Sequence, residues 1–195
     1  MIWTRVCPGA TVGDGSQSGC VVAHPDDTTP GYAVAIVTGG SSGVGREIAL
    51  RLAGSGYAVV VVYVRDQGEA ETAVEEILAA NGTALAVRAD VTDELDVKRL
   101  FDETAAAFGA VDVVVHTGVR GSPLVNEEAA RRLRHGGAIV SVAGSDAITP
   151  AIADELRARD ITVNGLVPGL EPPGSDHPIA DLVAFLDRWT RTPVE

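Results

Sequence analysis

The residues best able to do chemistry lie in one short stretch, Thr38-Gly39-Gly40-Ser41-Ser42-Gly43-Val44-Gly45. Its glycines allow a tight turn and let backbone N–H groups approach an anion closely. If a helix opens at its end, the positive helix terminus adds to the attraction, as at a dinucleotide pyrophosphate. Further along stand two proton-handling candidates, His116 and Ser145, the latter followed by Asp146. A histidine titrates near neutrality and can donate a proton to a developing alkoxide. Two absences bound the mechanism. Lys98 is the sole lysine, and the three tyrosines, Tyr32, Tyr57 and Tyr63, all precede position 64. No reaction that needs a later tyrosine, or a lysine other than Lys98, can run here. Cys7, Cys20 and His24 fall short of a four-ligand zinc site, so no metal is expected.

The elements that must hold these residues follow from hydrophobic period. Ala33 to Val37 is a continuous apolar run, as in a strand buried on both faces. The glycine turn follows it and opens a helix over about residues 43–55. Tyr57 to Tyr63 is the second strand. Ala70, Ala73, Val74, Ile77 and Leu78 mark one helix face, ended by Asn81-Gly82. Ala84 to Arg88 is a third strand, Val97 to Phe108 a helix face, and Val111 to Val115 a fourth strand. After that the units shrink. Glu127 to Arg134 gives barely two helical turns before a fifth strand, Ala138 to Val142. A helix from Thr149-Pro150 is over by Arg159, and Ile161 to Val167 is a sixth strand. Ile179, Leu182, Val183 and Leu186 mark a last helix. Strands joined by helical connections predict an α/β fold, a Rossmann-like doubly wound parallel sheet of about six strands. Residues 1–31, rich in Gly, Asp, Ser, Thr and Pro, read as a flexible tail before a single domain over 32–195.

The chain has 195 residues and a net charge of -12, with 46% hydrophobic but only 4% aromatic residues. The charge argues against binding nucleic acid or an anionic membrane. Arg131, Arg132 and Arg134 form one basic cluster, but Glu127 and Glu128 beside them predict a solvated helix face. The strongest apolar run, Ala58 to Val62, is too short to span a bilayer, and no signal peptide is evident, so a soluble cytoplasmic protein is expected.

Thr38-Gly39-x-x-x-Gly43-x-Gly45 resembles the cofactor motif of the short-chain dehydrogenase/reductase family. The resemblance runs from Ala33 to Val115, closest to the 3-oxoacyl-carrier-protein reductase branch, and resumes at 136–144 and 154–169. It implies a dinucleotide site built from Gly39, Ser41, Ser42, Gly43, Val44 and Gly45, with Asp90 and Val91 near the adenine. Gly118, Pro168 and Gly169 would lie toward the nicotinamide. A carboxylate ending the second strand would favour NAD(H); here Tyr63 stands there and Arg65 follows, which favours NADP(H). Asp66 could turn inward and oppose this, and Asp90 could instead be a plain helix cap.

The same family uses Asn, Ser and a Tyr-x-x-x-Lys pair for proton transfer, and the chain departs at each. Val115-His116-Thr117-Gly118 replaces Asn-Asn-Ala-Gly. Asn126 sits too close to the fifth strand for the Asn position. The Ser position falls on Gly144, one residue before Ser145, and the Tyr and Lys are absent. The family's seventh strand is missing after Trp189, where Thr190 to Glu195 stand instead. The resemblance therefore implies a cofactor-binding protein without the usual redox residues, pairing with itself or with a full-length homologue. The alternatives are a carbonyl reductase with a substitute acid such as His116, or a chain with no dedicated activity.

Overall fold

Valine and alanine make up half or more of each of the first four strands, and the structure puts them where both sheet faces are covered. A computed structural model gives the fold and describes residues 32–117, 122–142 and 150–166. In chain order the elements are β1 (Val34–Thr38), α1 (Gly43–Gly54), β2 (Ala58–Tyr63), α2 (Gln67–Ala79), β3 (Thr83–Arg88) and α3 (Glu94–Phe108). They continue with β4 (Val111–Thr117), α4 (Ser122–Arg132), β5 (Leu133–Val142), α5 (Pro150–Ala158) and β6 (Thr162–Leu166). The six strands form one sheet in the order β3-β2-β1-β4-β5-β6, every pairing parallel. This is the Rossmann-like doubly wound sheet that the periodicity predicts. The expected tail, last helix and missing seventh strand lie outside the described residues.

The strand order explains the sequence pattern. β1 and β2 are buried at every position, so their apolar residues run continuously rather than alternating. Ala35, Val37, Val59 and Val61 pack under α1 and α2 on one face. Val34, Ile36, Val60 and Val114 pack under α3, α4 and α5 on the other. With so few aromatic residues, Phe101 and Phe108 of α3 supply the largest fully buried side chains. Asn81 takes a φ of 61° just past α2, as its place in an Asn-Gly helix stop predicts.

Two expectations change. The helix expected over Glu127 to Arg134 begins at Ser122 instead, and β5 begins at Leu133 rather than Ala138. The start of α4 was hidden because its buried face includes Asn126 and Glu128, which interrupt the apolar stripe. The start of β5 was hidden because Leu133 pairs with Val111 across a register shift, with Gly136 at a φ of 77° inside the irregular stretch. The basic cluster is not a merely solvated face. Arg132 Nε lies 2.6 Å from Glu128 and also binds Asp102 of α3, while Arg134 lies 3.5 Å from Asp112. Arg159, just beyond α5, donates to the carbonyls of Ala130 and Leu133 at the end of α4, and its own carbonyl accepts from Gly136 N–H at 3.0 Å.

Asp112 ties the lower ends of β1 and β4 together, accepting from Val34 N–H at 2.7 Å. Burial pushes its carboxyl above the ordinary range, opposed by that N–H and by Arg134. A raised folded value means the associated stability is present below the ordinary carboxylate pKa and lost as pH rises through the folded value. Asp112→Asn keeps an acceptor for Val34 without the charge. Relative to wild type, it should therefore fare better at pH 7 than at pH 4 in urea melts. A relative loss on going from pH 4 to pH 7 would contradict this account.

Candidate active site

The strand order reverses direction between β1 and β4, and a crevice opens there at the carboxyl ends of the strands. It is a cleft of about 400 Å³ whose walls include Thr38, Gly39 and Ser41 from the first turn, and His116 and Thr117 from β4. Tyr63, Val64, Ala89 and Val91 close the end over β2 and β3.

Local chemistry dictates the turn. Gly39 and Gly43 take φ values of 63° and 53°, where side chains are strained. A Cβ on Gly45 would stand 2.2 Å from the Gly39 carbonyl oxygen, and one on Gly39 would stand 2.5 Å from Thr117 Oγ1. The start of α1 is thus pressed against the ends of β1 and β4 with no room for a side chain between. Thr38 and Thr117 lock the same point. Thr117 N–H donates to Thr38 Oγ1 at 3.1 Å, and Thr117 Oγ1 donates to the Thr38 carbonyl at 2.5 Å.

The three N-terminal helices differ in how their free N–H groups are met. Asp66 caps α2 by accepting from Glu69 N–H at 3.1 Å, and Asp93 caps α3 by accepting from the N–H groups of Leu95 and Asp96. Both helices carry acidic residues in their first turn. At α1 the N-cap is Ser42, but its side chain makes no capping bond, and the first turn holds no acid. The positive terminus facing the cleft is therefore left for an external anion. Ser41 is buried in the turn, while Ser42, Gly43 and Val44 are exposed at its rim.

The two alternatives left by the sequence resolve locally. Asp66 does not turn into the cleft, because its carboxylate caps α2. Asp90 does not cap α3; it accepts from the N–H and hydroxyl of Thr92 at 2.9 and 2.7 Å, and its own N–H donates to Asp96. Those contacts hold the Asp90 carboxyl below its ordinary range, the Thr92 hydroxyl most strongly. Arg65 is exposed at the exit of β2, next to Tyr63, which is buried.

His116 is not a loop residue. It lies within β4, 1% exposed, with Thr38 Oγ1 2.9 Å from its Nδ1. Thr38 Oγ1 already accepts from Thr117, so its own proton can go to Nδ1, leaving the imidazole proton on Nε2. Ser141 pairs with His116 in register on β5 and is equally buried. Asn126 is fully buried on α4, and neither end of its amide has a hydrogen-bond partner among the described residues. Gly118, Ser145, Pro168 and Gly169 lie outside the described residues. Sequence reasoning missed Thr117, whose β-branched side chain looked like ordinary strand filling.

A family model described as short chain dehydrogenase matches residues 33–135, more than half of the chain and all of the cleft elements named above. The chain belongs to the short-chain dehydrogenase family. Among its relatives, an uncharacterised oxidoreductase of Methylorubrum extorquens is 32% identical over 178 residues, covering 70% of this chain and 72% of that one. A 3-oxoacyl-[acyl-carrier-protein] reductase of Staphylococcus aureus is 31% identical over 179 residues, covering 69% and 73%. Both aligned stretches are longer than the part of this dehydrogenase they cover, so each relative carries segments without a counterpart here. A solved short-chain dehydrogenase of Burkholderia cenocepacia, in complex with NADP, superposes with a TM-score of 0.64 at 25% identity, covering 80% of this chain and 89% of that one. In this member of the family the glycine turn lies among the described residues, and α5 contains neither Tyr nor Lys.

The close approach at Gly45 generates a direct test. Gly45→Ala should lower stability by about 1–3 kcal/mol through overpacking against Gly39, and should distort the anion-facing terminus. Gly54→Ala, at the far end of α1 with nothing within 4 Å of the added carbon, should be neutral or stabilising. Denaturant melts of the two variants check this; equal effects would remove the packing argument.

Proposed function

We propose that this chain binds a nicotinamide dinucleotide, NADP(H) in preference to NAD(H), without the Ser, Tyr and Lys proton transfer usual in its family. The observation that carries the reading is the uncapped, acid-free start of α1 facing the cleft, beside an α5 that holds no Tyr or Lys. The glycine cradle suits a diphosphate, because a Cβ on Gly39 or Gly45 would fill it. Gly39, Ser41, Ser42, Gly43, Val44 and Gly45 would hold the diphosphate, and Val64, Ala89 and Val91 would flank the adenine. The Burkholderia relative, solved in complex with NADP, supports a dinucleotide as the ligand. The preference for NADP(H) rests on Tyr63 at the end of β2, on Arg65 after it, and on Asp66 being engaged as a helix cap. Such a protein would act by binding: it would sense the cofactor, or pair with a second copy or a complete homologue.

A second reading is favoured by one observation, the place of His116 on the cleft wall with its Nδ1 held by Thr38. Carbonyl reduction adds a hydride to carbon and a proton to oxygen; the dinucleotide supplies the hydride when bound, and an acid must supply the proton. The imidazolium form of His116, protonated on both ring nitrogens, would be such an acid, with Thr38 Oγ1 accepting from Nδ1.

Thermal melts with NADPH and NADH test the first reading. At about 100 times Kd, NADPH should raise Tm by about 5–10 °C, and NADH by less at equal concentration. No shift with millimolar NADPH would overturn it. A panel of carbonyl compounds then separates the two readings: the first expects no NADPH oxidation. Oxidation that disappears in His116→Ala, with the thermal shift retained, would establish the second.

A further inference from the structure

The chain carries a large negative excess, yet two of its arginines are left without a carboxylate at one place. Among the described residues, every other lysine or arginine has a carboxylate oxygen within 3.5 Å, except Arg159, which binds two carbonyls. Arg65 and Arg88 have none. Both stand where β2 and β3 leave the sheet, at the end of the cleft walled by Tyr63, Val64, Ala89 and Val91.

Arg88 is the better placed of the two. It pairs in register with Tyr63, and its Nε donates to the Val64 carbonyl at 3.3 Å. That contact lays the guanidinium across the exit of β2 and leaves its two terminal nitrogens without a partner among the described residues. The backbone beneath it is fixed as well. Arg99 donates to the Arg88 carbonyl at 3.0 Å, and is itself held by Asp96 at 2.8 Å and Glu103 at 3.0 Å. So one arginine, held by two acids, positions a second that has no carboxylate in ion-pair contact among the described residues. The nearby carboxylates keep their charge, Asp90 acting on Arg65 and Asp96 on Arg88 at a distance, but among the described residues none forms an ion pair with either guanidinium. Asp66 caps α2, and Asp90 is engaged by Thr92. Burial pushes the Tyr63 phenol up, with Glu71 adding to it, and Arg88 is the nearby charge that opposes them. A planar guanidinium with free terminal nitrogens is suited to a phosphate dianion.

We propose that Arg88, together with Arg65, forms a two-arginine clamp for a phosphomonoester on the adenosine ribose, and that Arg88 is a specificity-determining residue for the dinucleotide. This rests on the reading that the cleft holds such a dinucleotide. It adds a residue from β3 to a preference otherwise attributed to the end of β2. The clamp acts on the phosphorylated ribose alone, so it changes the choice between NADPH and NADH rather than affinity for both.

The test is a titration of NADPH and NADH against the full chain, wild type, Arg88→Gln and Arg88→Lys, by cofactor fluorescence. Arg88→Gln should weaken NADPH about tenfold and leave NADH within about twofold. Arg88→Lys, which keeps a point charge but not the fork, should recover part of the loss. Raising salt should weaken NADPH more in wild type than in Arg88→Gln. Equal weakening of both dinucleotides would mean that Arg88 only props the Val64 backbone, and would overturn the clamp alone. An unchanged NADPH affinity would overturn it too. If wild type binds neither dinucleotide, the proposed function fails first and the clamp falls with it.

Discussion

A helix can press its first turn onto the end of a strand only where side chains are missing from both. Here Gly45 meets the Gly39 carbonyl, and Gly39 meets Thr117, so α1, β1 and β4 converge on one point without a Cβ between them. The Thr38–Thr117 hydrogen bonds fasten the same point from the strand side. The crevice, the direction of the helix dipole and the burial of His116 all follow from that contact. Moving α1 outward by the width of a methyl group would open the turn, and would carry the free N–H groups away from the position where they converge.

Charge is distributed by the same economy. Acids near the cleft are turned onto helix ends or onto Thr92, and most bases are paired with acids across or along helices. Exposed ion pairs of this kind add little stability each. Their larger effect here is to hold carboxylates out of ion-pair contact with Arg65 and Arg88 at the exits of β2 and β3. Net charge alone would have suggested repulsion of any phosphorylated ligand.

Much of this was readable from the residues. The first four strands and three helices follow from uninterrupted valine runs and regular helical spacing, and the glycine turn declares itself because it falls between the two. The second half was less readable for physical reasons. α4 buries Asn126 and Glu128, so its apolar stripe is broken, and Glu128 is tolerated because Arg131 and Arg132 meet its charge. β5 opens with Leu133, which pairs with Val111, and the four residues after it, Arg134 to Gly137, carry no strand pattern and span the register shift before Ala138. Ser42 stands at the N-cap of α1 yet its side chain does not cap, which only the geometry reveals. Arg88 gave no signal either, because its role depends on which residue faces it across the ladder.

Arg159 ties three parts of the second half of the molecule to one another. Its guanidinium closes the last carbonyls of α4 from a position beyond α5, and its own carbonyl receives Gly136 from the irregular start of β5. The junction between α4 and β5 is therefore completed by a residue that emerges later from the chain. Until α5 docks, that junction lacks donors for its helix end and an acceptor for its glycine. Removing the Arg159 guanidinium would therefore loosen α4, β5 and α5 together.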